Sequence, residues 1–260
     1  MNPLIPNRNS KIPHFQFPHF LEFSFVNHGI FSRIGGVSAP PNEALNVSLN
    51  TGDSIHHVRE NRRRIHSCVA GKDLVFMNQV HGDHILILED YASTSSDLSS
   101  LYGTGDAIIT REQGRNIVVQ VADCQPVLLL DPVQKVIAGV HSGWRGSVLN
   151  IAGKTVAFMR EKFNCNPADI RAGIGPSLGP CCGEFLNYQQ EIPESLWKYK
   201  DPKTENFDFW SLTIDQLTQE GVSGKNIQGS GICTKCHSEQ FFSYRKHRQT
   251  GRLAAVIGLI

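Results

Sequence analysis

Hydrophobic residues in this chain fall mostly into short, nearly unbroken runs, with the wider spacing of an amphipathic helix in only a few places. The runs Leu74–Met77, Ile85–Leu88, Ala107–Thr110, Ile117–Val121, Val127–Leu130 and Val136–Val140 each hold four or five residues. Runs of that length predict short β-strands. An aromatic-rich strand is expected near Phe23–Phe31, followed by a glycine turn at Gly35–Gly36, and Leu253–Ile260 reads as a buried final strand. Ile55, Val58, Ile65 and Val69 recur at helical spacing, so a helix should start at an Asp53 or Ser54 cap and run to about Ala70, where Gly71 stops it. A second helix is expected from about Ser147 to Phe163, its apolar face built from Val148, Ile151, Val156, Met159 and Phe163. A third spans Leu212–Glu220, stopped by Gly221.

Between these elements the pattern changes twice. Pro3, Pro6, Pro13 and Pro18 make residues 1–20 read as an extended arm, because proline fixes φ and removes a backbone donor. Ala92 to Gly105 is rich in Ser and Thr and reads as a mobile surface loop. No internal repeat and no Gly-, Ser- or Pro-rich linker divides the rest, so residues 21–260 are expected to form a single catalytic domain. Strands and helices mixed without regular βαβ alternation argue for an α+β fold of sandwiched layers.

Composition adds exclusions. A chain of 260 residues, 40% hydrophobic and 19% charged, is an ordinary globular protein with enough length for a large core. Its formal charge of +1 gives no pull toward nucleic acid or a membrane surface. Arg59, Arg62, Arg63 and Arg64 share a stretch with the helical apolar spacing, so they read as a solvated helix face. No stretch approaches the ~20 apolar residues that span a bilayer, and the proline-rich leader lacks the apolar core of a secretory signal. The expected location is the cytoplasm. Seven cysteines, an odd number, suit a reducing compartment better than a disulfide framework.

Three segments carry the candidate chemistry: N-Q-V-H-G containing His81, A-D-C ending at Cys124, and H-S-G-W-R-G beginning at His141. One Cys and two His form the ligand set of a zinc site whose fourth position stays open for water or substrate. Cys124 and His141 are separated by a strand, a turn at Asp131–Pro132 and a returning strand, a hairpin that would bring both to the same end. His81 likewise follows a β-type run and precedes a glycine. Taken singly, a strand-end His is usually a satisfied polar residue and a Cys a small buried hydrophobe, and these long spacings are not diagnostic.

F-S-R-I-G-G-V-S (31–38), N-V-S-L-N-T-G-D (46–53), E-N-R-R-R (60–64), the three segments above with A-D-C extended to A-D-C-Q-P-V-L-L-L-D, G-I-G-P-S-L-G-P-C-C-G-E-F (173–185) and F-F-S-Y-R (241–245) resemble, in order, the purine nucleoside phosphorylase/laccase family, formerly called multicopper polyphenol oxidases. The resemblance runs from about residue 25 to the end. It implies a single αββα-like sandwich with mixed sheets, and zinc held by His81, Cys124 and His141 in a cleft. It also implies phosphorolysis of adenosine, inosine or methylthioadenosine to the base and a (methylthio)ribose 1-phosphate, and deamination of adenosine. The partners would be a purine nucleoside and phosphate. Arginine suits phosphate through its bidentate fork, so Arg33 and Arg145 are the catalytic candidates beside Cys124, with Arg245 third. Gly35 and Gly36 would admit the nucleoside close to the backbone. Arg145 could equally pair with Asp123 and orient the metal loop. Two positions depart from the family pattern: Gly183 stands where an aromatic is common, and Lys246 where a second Arg is common.

Other readings stay open. A His₂Cys site could take copper, which binds such ligands more tightly than zinc, and give a polyphenol oxidase. The chain has no His-x-His pair of the kind a multicopper relay needs. Some family members are linked to peptidoglycan precursor editing. The deaminase signature H-x-E with P-C-x-x-C is absent, so deamination rests on resemblance. Cys233, Cys236 and His237 spell C-x-x-C-H, a haem-attachment pattern. Cys181, Cys182, Cys233 and Cys236 could form a Cys₄ site, but adjacent cysteines rarely both ligate comfortably. The expectation is reduced structural thiols, with Cys182 near the cleft.

Overall fold

The computed structural model describes residues 4–7, 10–89 and 101–260. In chain order the first elements are β1 (Ile5–Asn7), β2 (His14–Gln16), β3 (Val26–Phe31), α1 (Ile55–His66), β4 (Asp73–Asn78), β5 (Ile85–Leu88), β6 (Leu101–Thr104), β7 (Ala107–Thr110) and β8 (Arg115–Val121). There follow β9 (Gln125–Asp131), β10 (Val136–Ser142), α2 (Trp144–Val148), α3 (Ile151–Phe163), β11 (Arg171–Ile174), α4 (Tyr188–Glu191), α5 (Phe209–Gln219), β12 (Ile227–Gly229) and β13 (Leu253–Leu259).

The strands make two mixed sheets, one in the order β1-β2-β3-β13-β8-β4-β6 and the other β12-β11-β9-β10-β7-β5. Their facing sides interdigitate: Ile117, Val119, Ala255 and Ile257 of the first sheet meet Ile108, Leu128, Leu130 and Ile137 of the second. The intervening residues point outward and are buried as well. Val118, Phe76 and Val256 pack with Ile65 of α1. Ala107, Leu129, Ala138 and Val140 pack under Val156, Met159 and Phe163 of α3 and Leu217 of α5. Four layers result, helix–sheet–sheet–helix, as expected. Coverage on both faces is why the strands read as continuous apolar runs rather than as alternation.

Several expectations need correction. The described part of residues 1–20 is integral to the first sheet: β2 pairs β3 and β1 pairs β2, while Phe17 and Phe20 are fully buried. Helix α1 stops at His66, because Ser67 Oγ and Cys68 Sγ both bond the Arg64 carbonyl and compete with the ladder. Arg62 on that helix is buried, its guanidinium stacked 3.7 Å from the Phe76 ring centre, so the arginine cluster is not uniformly solvated. The helix expected from Ser147 to Phe163 is broken. Asn150 takes φ +61° and caps α3 by accepting from Gly153 N, and a short Asn side chain tolerates that left-handed backbone. Of the Ser/Thr-rich insertion, residues 92–100 lie outside the described residues; Leu101–Thr104 is a strand paired with β4.

The N-terminal strands bury three histidines. His28 Nε2 accepts from Phe17 N at 2.8 Å, and burial, then the neighbouring His19 and His14, push its pKa down to about 3. Below the ordinary histidine range the unfolded chain takes up a proton that the fold refuses. His28's contribution is therefore complete above pH ~6.5 and falls on acidification at about 1.4 kcal/mol per pH unit. Urea midpoints measured from pH 7 to pH 5 should decline, and His28→Gln should flatten that decline. An equally steep decline in the variant would contradict this account.

Candidate metal centre

The β9/β10 hairpin sets the centre. Its register places His141 opposite Pro126 and Ser142 opposite Gln125, so Cys124, one residue before β9, emerges beside the end of β10. Asp123 fixes the approach. Its backbone takes φ +82°, its carboxylate accepts from Thr234 Oγ1 and from Arg245 N, both at 2.6 Å, and its carbonyl accepts from Leu178 N. Asp123 therefore does not rely on Arg145. His81 sits beyond β4 at φ +61°, on a loop held at one end by Gln79, whose side chain bonds both N and O of Gln120.

Sequence reasoning missed the residue that joins these pieces. Asp106, fully buried just before β7, accepts from the backbone N–H groups of His81 (2.9 Å), Gly82 (2.7 Å) and Val80 (3.3 Å). The same carboxylate faces His141 Nδ1 at 2.8 Å. That contact puts the imidazole proton on Nδ1 and turns Nε2 toward the cluster. The only trace in the sequence is one acidic residue, after Gly103 and Gly105, at the head of an apolar strand.

Ligand atoms of His81, Cys124 and His141 all lie within 4.8 Å of one another, with Cys124 Sγ 3.7 Å from His81 Nε2. Burial would raise the Cys124 thiol, but the charge and hydrogen bond of His141, then His81, outweigh it and bring it down to about 6. Burial would lower His141, yet Cys124 and Asp106 push it up to about 9. A thiolate is thus prepared where a soft cation needs one. Burial likewise disfavours the Asp106 carboxylate, but His141 and the loop amides more than compensate, so its pKa is lowered.

Gly143 leaves the room. A Cβ there would lie 2.8 Å from the His81 ring and 3.2 Å from Cys124 Sγ. Gly143→Ala should therefore displace His81 and lower cation affinity by about 10-fold, within the range seen for altered ligand supports. Chelator competition checks this; unchanged affinity would mean the ligands are not crowded as described.

The cluster opens into a cavity of about 940 Å³, whose wall includes Trp144, Phe185, Phe209 and the arginines Arg62, Arg245, Arg248 and Arg252. Arg33, Gly35, Gly36 and Arg145 are not among the described residues lining it. The Arg33 guanidinium is spent on the carbonyls of Glu43 and Ser238, over the Phe242 ring. A Cβ on Gly36 would fall 2.1 Å from Ala44 O, so that glycine serves loop packing; Gly35 adopts φ +93°. Arg145 is exposed beside Trp144. Arg245 lines the cavity, although its side chain also donates to Glu184 O. Sequence reasoning missed Arg248 and Arg252, which lie beyond the quoted F-F-S-Y-R segment.

The sequence model of the family described as multi-copper polyphenol oxidoreductase laccase matches residues 27–260. The chain belongs to that family. It is 34% identical over 241 residues to the purine nucleoside phosphorylase YfiH of Shigella flexneri, covering 88% of this chain and 92% of that one. It is 31% identical over 246 residues to the purine nucleoside phosphorylase YlmD of Geobacillus stearothermophilus, covering 88% and 89%. The crystal structure of a Bacillus licheniformis hypothetical protein YfiH superposes with a TM-score of 0.87 at 29% identity, over the whole of both chains. Of the laccase-family segments, E-N-R-R-R and N-V-S-L-N contribute Arg62, Ser48, Leu49 and Asn50 to the cavity wall and no residue to the His81–Cys124–His141 cluster, while Asn61 and Asn46 are buried knots that tie loops together. No helix among the described residues is long and apolar enough to cross a membrane.

Proposed function

We propose that this chain is a zinc-dependent purine nucleoside phosphorylase, converting a purine nucleoside and phosphate to the free base and ribose 1-phosphate. The carrying observation is that one cavity wall combines the His81–Cys124–His141 cluster with Arg245, Arg248 and Arg252. The names of the relatives supply the substrate class. One thiolate and two imidazoles fit zinc, which when bound offers an open coordination position and Lewis acidity. His141 is held in its ligating tautomer by Asp106, and Cys124 is held by the anchored Asp123. Arg248 and Arg252 replace Arg33 and Arg145 as the phosphate partners, with Arg245 beside them. Their positive charge draws in the dianion and orients one of its oxygens toward the anomeric carbon. Phe185, Phe209 and Trp144 give the base an aromatic wall and keep water off the glycosidic bond as it breaks.

The copper oxidase reading is weaker on the residues themselves. Among the described residues the structure gathers two groups able to hold a metal, the His₂Cys cluster and a group of four cysteines. Neither is a histidine-rich centre of the kind a multicopper relay requires. The decisive experiment assays purine nucleosides with and without phosphate on metal-quantified protein. Ribose 1-phosphate should form only with phosphate, and His141→Ala should lose at least about 100-fold of that activity while remaining folded. Base release that ignores phosphate, or full activity in His141→Ala, would reject the proposal.

A further inference from the structure

The group of four cysteines lies outside the chemistry above. Cys181 and Cys182 occupy a turn closed by Cys182 N bonding Gly179 O, and Cys233 and Cys236 form a C-x-x-C turn 50 residues later in the chain, give or take a few. The fold sets the two turns side by side. Ser177 pairs with Cys233 as an isolated parallel bridge, and Thr234 N donates to Ser177 O. All four sulfurs come within 4.8 Å of one another, with Cys236 Sγ 3.7 Å from Cys181 Sγ and 3.6 Å from Cys182 Sγ.

Those separations have a chemical meaning. Sulfurs joined in a disulfide lie ~2.0 Å apart, and all four cysteines here are free. Four thiolates at ~2.3 Å from a central zinc ion stand ~3.8 Å apart along the edges of a tetrahedron. The spacings about Cys236 match that edge. The neighbouring positions Cys181 and Cys182 would normally point apart, but the tight turn lets both reach the same partner. The C-x-x-C-H pattern is absorbed in the same way: Cys233 is buried in this group, and His237 Nδ1 is bonded to the Cys233 carbonyl.

We propose that Cys181, Cys182, Cys233 and Cys236 form a second metal site, a closed tetrahedral zinc centre distinct from the His81–Cys124–His141 cluster. With four protein ligands it has no position left for substrate, so its role is structural. It cross-links the segment bearing Leu178, Gly183 and Phe185 to the one bearing Tyr244 and Arg245, both of which line the cavity. Arg245 Nη1 donating to the Glu184 carbonyl is a weaker link between the same segments.

The test reads metal rather than turnover, so it stands apart from the fate of the phosphorylase reading. Full-length protein is prepared under reducing conditions with zinc, and separately with cobalt(II). Cys124→Ala, which removes a ligand of the first cluster, should retain one zinc per chain and the intense visible and near-ultraviolet absorption of a cobalt tetrathiolate. Cys236→Ser should lose that absorption and one zinc, leaving the first cluster loaded. Should Cys236→Ser fail to fold, the Cys124→Ala measurement decides alone. Absence of the tetrathiolate spectrum and of tightly bound zinc in Cys124→Ala would overturn the proposal. So would a disulfide among the four cysteines in protein kept reduced, or iron in place of zinc.

Discussion

Asp106→Ala is expected to cost cation affinity by 100-fold or so and to destabilise the fold, although Asp106 is not a proposed ligand. A buried imidazole ligand loses affinity by about 10–100-fold when its supporting carboxylate is removed. Here the same carboxylate also accepts three backbone amides of the His81 loop, so both histidines lose their positions together. Those amides sit beside the cavity, where water can replace part of what is lost. Each orphaned donor still costs about 1–3 kcal/mol where water cannot reach it, so a net loss of about 2–4 kcal/mol is expected. Asp106→Asn keeps the shape and one acceptor but turns an NH₂ group toward donors, so it should fall between wild type and alanine. Chelator competition and urea unfolding of the three proteins test the ordering. Wild-type affinity in Asp106→Ala would mean that His81 and His141 hold their geometry unaided.

The residues of the His81–Cys124–His141 cluster were legible and the carboxylate that organises them was not, for a physical reason. His81, Cys124 and His141 are residue types whose chemistry announces itself, and strand-and-turn arithmetic placed Cys124 beside His141. Asp106 works by accepting backbone hydrogens, and a backbone donor has no signature in a sequence. Which arginines face the cavity was hidden for a related reason. Arg33 and Arg252 look alike as letters and both donate to backbone carbonyls, Arg33 to Glu43 and Ser238 and Arg252 to Thr250 and Gly251, but only the second lines the cavity. The layered fold was readable because doubly covered strands leave unbroken apolar runs. The break at Asn150 was not, because a single left-handed residue leaves the apolar spacing of Val148, Ile151 and Val156 almost undisturbed. The four cysteines show the opposite limit. Adjacent positions argued against shared ligation, and only the turn at 179–182 lets both sulfurs face Cys236.

Asn61→Ala is expected to be strongly destabilising although Asn61 is no part of the His81–Cys124–His141 cluster. Asn61 is completely buried on α1, and its side chain serves four partners. Its Nδ2 donates to Ser38 Oγ at 2.8 Å, Asn46 O at 2.8 Å and Ala44 O at 3.1 Å, while its Oδ1 accepts from Val37 N at 2.9 Å. The segment 37–46 is thereby pinned to the helix. Asn46 extends the tie, its Oδ1 accepting from Arg252 N, so the knot reaches the backbone of a cavity arginine. Alanine leaves several buried groups unpaired at about 1–3 kcal/mol each, a total on the order of 3–6 kcal/mol. A domain of this kind has only about 5–15 kcal/mol to lose. Charge sharpens the test. Asn61→Asp nearly preserves the volume and can still accept from Val37, yet it sets a carboxylate against the oxygens of Ser38, Ala44 and Asn46. It should therefore be at least as destabilising as alanine, which a cavity-based account would not predict. Urea midpoints near wild type for Asn61→Asp would show that the segment is held by its apolar contacts and that the amide is incidental.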